Sequence, residues 1–503
     1  MAYKFYINKH KNILLIILIL IMAFVSIVER NVFSPISADA AWLTVIAESL
    51  MEGMIYGRDI YDVNPPASAL LYIPGAIIAK ILNVNILYGS IIYLYITFIL
   101  MLFLSIFVLK RSKFITSIEI YYLVLVLCFM SLVYNPQDFG QKEHFVILFI
   151  IPFLIMNAVQ NEEIKINLYI RSMIGILLGI AYSIKPFFAI VPFLIAITDF
   201  MKYRSYKVFV RIEYLLSIII LIIYIAFVLS KFSDYTIWLK SIMNSNVNYY
   251  SVRYDPFLSL KTEASLYLIT LVTFLCVFSW SRIQFKTRLC EIFFIASIGF
   301  FLCFLIQGKN WEYQAFPALF MQAVASSILI YQIGRSANRI KFVRFLFIGC
   351  LCFSQAITFT KFFETLRIVP KDKELVSEIV KITPNASMLA LTESSPSAFP
   401  MALEANGRWV GSFSSAWIAS FLSFKQKRDV LSGEIPVTSI PILQWQMDRI
   451  TQDITNNKPD IIISHSNASW NILLSKFPRL MEALDEYDQV IIIDDRVILK
   501  RQQ

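Results

Sequence analysis

A succession of long apolar runs constrains this chain more than any other feature. From Ile13 to about Thr360 the sequence keeps returning to stretches of roughly 17 to 25 residues with almost no charge, the length an α-helix needs to cross a hydrocarbon core. The runs lie near Ile13–Val28, Pro66–Leu82, Ile86–Leu109, Phe114–Tyr134, His144–Val159, Ser172–Thr198, Ile212–Ser230, Ala264–Trp280, Ile292–Ile306, Phe316–Ile333 and Phe342–Thr360. Inside lipid every backbone N–H and C=O must find its partner within the protein, so such runs specify helices. Composition agrees, because 58% of the 503 residues are hydrophobic and 16% are charged. An ordinary cytosolic enzyme, a disordered chain and a fibrous one are all excluded. The expected fold class is a polytopic α-helical membrane protein of about 11 spans, followed by a small α/β domain.

Lysine and arginine outnumber aspartate and glutamate 45 to 35, a net charge of +10. In a soluble protein that surplus would suggest nucleic acid. Here it collects in short loops, Lys202/Arg204/Lys207/Arg211, Arg282/Lys286/Arg288 and Arg335/Arg339/Lys341/Arg344, and reads as positive-inside topology. Those loops are expected in the cytoplasm, which puts the tail after Lys361 outside. The six cysteines lie in apolar surroundings without CxxC spacing, so neither a disulfide framework nor a metal site is indicated.

Lys4, Lys9 and Lys11 precede the first apolar run, a pattern shared by signal peptides and first membrane helices. Ala38-Asp39-Ala40 resembles a cleavage site but lies about ten residues past the run, beyond the usual short spacer, so the segment is expected to stay as an anchor with its N-terminus inside. Two countings then satisfy parity. One makes every run a crossing. The other, preferred here, makes Pro66–Leu82 an interfacial helix pair and breaks Ser172–Thr198 at Lys185-Pro186, because proline removes a helix bond and disfavours helix in the residue before it. It keeps Lys110, Arg111 and Lys113 inside and brings residues 135–143 and Lys185 to the outer face.

The expected division is a membrane domain over 1–365, with a long first outer loop at 29–66, and an extracytoplasmic α/β domain over 366–503. In the latter, short aliphatic runs at Ser387–Leu391, Asp460–Ser464 and Gln489–Ile493 alternate with helical patterns such as Trp470–Leu484. The turn Ser394-Ser395-Pro396 and the strand start Gly407-Arg408-Trp409 read first as architecture.

The outer loops hold the polar residues. Asp39 sits just ahead of an amphipathic pattern, Trp42, Leu43, Ile46, Ala47 and Leu50, expected as a helix along the membrane surface. It either caps that helix or serves as a carboxylate that takes a proton from an acceptor hydroxyl. The stretch "ADAAWLTVIAESLMEGMIYGRDIYDVNPPASALL" resembles the first outer loop of integral-membrane glycosyltransferases of the C-type (GT-C) superfamily, and is similar to protein O-mannosyltransferases and aminoarabinose transferases. In that pattern an Asp opens a surface helix, a Gly and a Tyr-x-Asp follow, and Pro-Pro leads into the next apolar segment. Asp39, Gly53, Tyr61, Asp62, Pro65 and Pro66 fall near those positions. Two departures stand out: Tyr61 and Asp62 are adjacent, and Ala40 follows Asp39 where many members carry a second acid.

The resemblance implies a polyprenyl-phosphate sugar donor, an acceptor hydroxyl on a cell-envelope glycan, lipid or protein, and Asp39 as general base of an inverting transfer. Cations and hydrogen-bond donors for the phosphate are sought in four places. "NPQDFGQKEHF" offers Asp138, Gln141, Lys142, Glu143 and His144, unless it is a polar helix cap. "SIKPFF" buries Lys185 in an apolar run, where an ammonium needs an anionic partner. "QGKNWEYQAFP" offers Lys309, Trp311, Glu312 and Tyr313, with an interfacial aromatic belt as the alternative. Arg58, Tyr61 and Asp62 complete the set. No cofactor or metal is expected, although some superfamily members use a divalent ion, and nucleic acid is not a partner. The expected setting is a bacterial inner membrane with the site on the periplasmic face. The competing function is a lipid-linked sugar flippase or other transporter, which predicts broken helices near the midplane. A scaffold would tolerate neutral residues at positions 39 and 185.

Overall fold

The structure, a computed structural model, describes residues 2–32, 36–113, 115–134, 139–160, 166–245, 263–281, 288–309, 311–335, 345–346, 348–356, 370–422 and 424–502. It is mostly helical with one small sheet. The helices run α1 (Ala2–Val32), α2 (Ala38–Met51), α3 (Pro66–Leu70), α4 (Ile73–Leu82), α5 (Ile86–Leu109), α6 (Ser117–Leu132), α7 (Lys142–Gln160), α8 (Leu168–Ile184), α9 (Ile190–Tyr203), α10 (Ile212–Lys231) and α11 (Ser233–Asn244). After them come Glu263–Ser281, Leu289–Gln307 and Glu312–Arg335. By length and composition, 6 helices among the described residues suffice to cross a membrane, and shorter apolar helices cover Leu15–Glu29, Pro66–Leu82, Ser117–Leu132, Leu168–Ile184 and Ser265–Ser279. The expected run Phe342–Thr360 lies partly outside the described residues.

Two compact units emerge, and neither is continuous in sequence. The first comprises residues 1–34, 94–224 and 253–366; the second comprises 35–93, 225–252 and 367–503. Residues 367–503 thus share a unit with residues 35–66, the greater part of the segment expected as the first outer loop.

In the first unit α7 is the central helix, enclosed along nearly its whole length, and it packs on α8 and on Leu289–Gln307. The expected break at Lys185-Pro186 is present. Lys185 is extended (φ −151°, ψ 113°) at the end of α8, and Pro186 opens a single 3-10 turn leading into α9. Gly175 and Gly179, four apart on α8, let α10 approach closely. A β-carbon on Gly175 would stand 2.9 Å from the Glu213 Cα, and one on Gly179 would stand 2.5 Å from the Ile220 Cβ. Small residues at this spacing are how helices pack tightly in lipid, where no hydrophobic force distinguishes helix from solvent. Two of the basic-loop arginines are clasped in buried ion pairs. Asp199, fully buried, takes Arg211 at 2.9 Å and also Arg288, while Arg171 holds Glu213 at 2.7 Å.

In the second unit β1 (Ser387–Leu391), β2 (Arg408–Trp409), β3 (Ile461–His465), β4 (Tyr487–Ile493) and β5 (Arg496–Arg501) form one sheet in the order β2-β1-β3-β5-β4. The first three are parallel and the last two antiparallel. Three expectations need correction. Trp470–Leu484 is two short helices, Ala468–Leu474 and Pro478–Leu484, because Pro478 starts a helix readily and cannot continue one. Strand β5 returns from β4 through Asp494, which takes a positive φ of 57°, a turn signal the pair Asp494-Asp495 carries only weakly. Finally, α2 is not an amphipathic surface helix, since every residue from Ala40 to Ala47 is buried. Trp42 packs against Phe399 at 5.7 Å and Trp409 at 6.2 Å, and α3 and α4 cover another side.

Candidate active site

In the first unit a group of charges is buried together. Lys142 and Glu143 open α7 and are each 1% exposed; Lys185, at the helix break, is 9% exposed. Lys185 Nζ donates to Glu143 Oε1 at 2.5 Å and to Gln307 Oε1 at 2.8 Å, while Lys142 Nζ lies 3.8 Å from Glu143 Oε2. Both ammonium groups face the Tyr313 ring, at 5.1 Å for Lys142 and 5.7 Å for Lys185. Lys185 stands at the break itself, extended between the end of α8 and the turn opened by Pro186. Lys142, Glu143 and Lys185 are thus held together out of water, where each interaction is stronger than at a surface.

Neighbouring expected residues fall around this group. Trp311 stacks obliquely on Tyr313 at 5.6 Å and takes the Lys309 ammonium on its own face at 4.6 Å. His144 is buried, its Nδ1 accepting from the Gly140 N–H at 3.5 Å and its ring lying edge-on to Phe139 and Phe316. Gln141 is 3% exposed, and its Oε1 is buried with no hydrogen-bond partner among the described residues. Asp138 lies outside the described residues. Gln307 heads the quoted stretch QGKNWEYQAFP but was passed over, because a neutral amide at the end of an apolar helix carries no charge that demands a partner. A polar residue beside Gly308 and Lys309 was the only signal.

The second unit holds the rest. Asp39 is half-buried and lies inside α2, not ahead of it. The cap is Ser37, whose Oγ accepts from the Ala40 N–H at 3.3 Å, so capping is not the role of Asp39. Its position in the first turn still places a carboxylate where the helix dipole favours negative charge. Tyr61 is 7% exposed and enclosed by aromatic rings, stacked on Phe413 at 5.0 Å with Trp445 edge-on at 5.0 Å and Trp238 at 5.5 Å. Its hydroxyl donates to the Arg58 carbonyl at 2.5 Å, its N–H donates to the Ser412 carbonyl at 2.9 Å, and burial pushes the phenol above its usual range. Asp62 Oδ1 accepts from the Asn64 N–H at 2.6 Å and side-chain amide at 2.8 Å, a turn that sets up Pro65-Pro66. Arg58 is a surface residue, its side chain 59% exposed and 3.5 Å from Asp59. The loop between them is fixed by Gly57, whose φ of +87° suits glycine and whose missing β-carbon would lie 2.3 Å from the Tyr235 Cα.

No protein-family model matches the sequence, and no curated protein matches it. Among solved structures, the chain is similar to ArnT from Cupriavidus metallidurans in the apo state. The two superpose with a TM-score of 0.52 at 12% identity, over 99% of this chain and 98% of that one. The chain has the fold of an aminoarabinose transferase. At that identity the likeness concerns the path of the chain, and it covers both units. It agrees with the GT-C resemblance of the first outer loop. Among the described residues no group of three His, Cys, Asp or Glu side chains is placed to hold a metal ion.

Proposed function

We propose that this chain is a GT-C-type membrane glycosyltransferase that moves a sugar from a polyprenyl-phosphate carrier to an acceptor hydroxyl on a cell-envelope glycan, lipid or protein. The observation that carries the reading is the buried Lys142–Glu143–Lys185 group, found in a chain with the ArnT fold. Ammonium groups held in such a group are the donors that a phosphodiester pairs with. Asp39 takes the proton of the acceptor hydroxyl, whose oxygen attacks the anomeric carbon. The bond from that carbon to the lipid-phosphate oxygen breaks on the opposite face, inverting the configuration. The departing phosphate keeps the electron pair, and Lys142 and Lys185 stabilise the negative charge that develops on it. The transfer needs no metal. In this reading the chain crosses a bacterial inner membrane eleven times, with its N-terminus inside and its C-terminus outside, the catalytic domain is 1–365 and the extracytoplasmic domain 366–503.

The test compares wild type with Asp39→Asn, a near-isosteric change, by mass spectrometry of envelope lipids, glycans and glycoproteins from cells lacking the endogenous gene. A sugar-sized mass increment restored by wild type and absent with an equally abundant variant supports the transfer. The extended residue between two half-helices at Lys185 is also what a carrier of lipid-linked sugars would show. Equal restoration by wild type and Asp39→Asn removes Asp39 as base and favours that carrier.

A further inference from the structure

The parallel strands stand in the order β2-β1-β3, so the chain leaves β1 toward β2 on one side and returns to β3 on the other. Loops that follow β1 and β3 therefore diverge at their carboxyl ends. In open α/β sheets that reversal is where a ligand crevice forms. Here the edge is built of hydroxyls. Ser394 and Ser397, in the turn after β1, have their Oγ atoms 3.1 Å apart, and Ser395 Oγ lies 2.6 Å from the Oγ of Ser414 in the loop after β2. Lys427 and Glu393, which follow the same strands, pair with each other, Nζ to Oε1 at 2.5 Å.

Helix α2 packs against the same turn, Ser395–Ser397, and its Trp42 reaches Phe399 just beyond it. The indole Nε1 of Trp42 and that of Trp409, whose rings lie 6.2 Å apart, are both buried with no acceptor among the described residues. Indole N–H is a donor only, and leaving it buried and unmet costs free energy. Both donors call for an oxygen from elsewhere. Trp42 also stands three residues after Asp39, the spacing that puts two side chains on one helix face.

We infer that this edge of the second unit is a recognition site for an uncharged, hydroxyl-rich glycan, which presents oxygens to Trp42 and Trp409 and exchanges hydrogen bonds with Ser394, Ser395, Ser397 and Ser414. A serine hydroxyl both donates and accepts, as a sugar hydroxyl does. The site differs in chemistry from the lysine group of the first unit. As the acceptor's binding place it holds a hydroxyl one helical turn from Asp39; that role rests on the proposed transfer, whereas glycan binding itself does not.

The experiment titrates the full-length protein in detergent with cellotetraose, mannotetraose and chitotetraose by calorimetry. The variants are Trp42→Phe, which keeps a ring and removes the N–H, and Ser395→Ala. At least one tetrasaccharide is expected to bind wild type and to bind each variant at least tenfold more weakly, with the thermal midpoint and the binding of polyprenyl phosphate unchanged. If Trp42→Phe lowers the thermal midpoint, Ser395→Ala alone decides. Absence of binding to wild type, or full binding by the deciding variants, overturns the site. Glycan binding lost as expected in a protein that transfers no sugar leaves this site standing and the transferase reading fallen. Transfer with an acceptor KM unmoved by both variants leaves the transferase reading standing and overturns the acceptor role of this site.

Discussion

Glu143→Gln is the most informative single substitution in the buried charge group. It keeps the side-chain shape and removes the carboxylate that both Lys142 and Lys185 approach, in a site where Lys142 is 1% exposed. Removing one partner of a buried ion pair costs about 3–5 kcal/mol, because the other charge is left uncompensated. At about 2.1 cal/mol/K of unfolding entropy per residue, a chain of this length has an unfolding entropy of about 1 kcal/mol/K, and the thermal midpoint should fall by about 3–5 °C. An anion that enters the group must then stabilise the variant more than the wild type. At a hundredfold excess over its Kd, a ligand adds about 2.7 kcal/mol to the state it binds. The assay is thermal unfolding in detergent, followed by tryptophan fluorescence, with and without polyprenyl phosphate. The variant should show the larger rise on addition, and Glu143→Gln/Lys185→Met, with one buried cation fewer, should recover part of the lost stability. A midpoint within about 1 °C of wild type, or equal increments on lipid addition, would refute the reasoning that the group is an anion site held by Glu143.

Three further outcomes follow from the geometry. Burial pushes the Asp453 carboxyl up to about 6 from 3.8, against the downward pull of hydrogen bonds from Ser412 and the charge of Arg449. The folded state therefore holds this proton more tightly than the unfolded one, and stability should fall by about 3 kcal/mol as pH rises from about 4 to about 6, then level off; Asp453→Asn should flatten that part of a midpoint-against-pH curve. Tyr61→Phe should cost about 1 kcal/mol, the value of its bond to the Arg58 carbonyl, and Tyr61→Ala about 3–5 kcal/mol, measured by denaturant unfolding; loss of donor binding with Tyr61→Phe at unchanged stability would show that the hydroxyl serves a substrate instead. Sugar transfer should persist in excess EDTA, and activity lost to the chelator and restored by a divalent ion would contradict the metal-free reading.

The sequence disclosed helices far better than it disclosed which of them share a unit. Apolar length located α5, α7, α10 and the later long helices, and a single proline located the break at Lys185, because both effects act within one or two turns. The assembly of residues 35–93 and 225–252 with the C-terminal sheet was not legible. It depends on contacts distant in sequence, such as Tyr61 on Phe413 and Tyr56 stacked on Tyr235, whose aromatic residues look alike whether they face lipid or one another. For the same reason α2 looked amphipathic, since nothing in its own residues announces that Phe399 and Trp409 will cover it.

Polar residues show a parallel contrast. Lys185 could be singled out because an ammonium in an apolar run demands a partner, and the structure supplies Glu143, with Gln307 added. Tyr61 and Asp62 were chosen by motif alone, and their side chains are bonded within their own loop. A buried charge carries a free-energy cost that constrains its neighbours, whereas a motif match carries none. The cationic group lies in one unit, and Asp39 with the hydroxyl edge lies in the other. If donor and acceptor are recognised by different units, a substitution in one should change the binding of its own ligand and leave the other's intact. A purely structural role for either group would weaken both together.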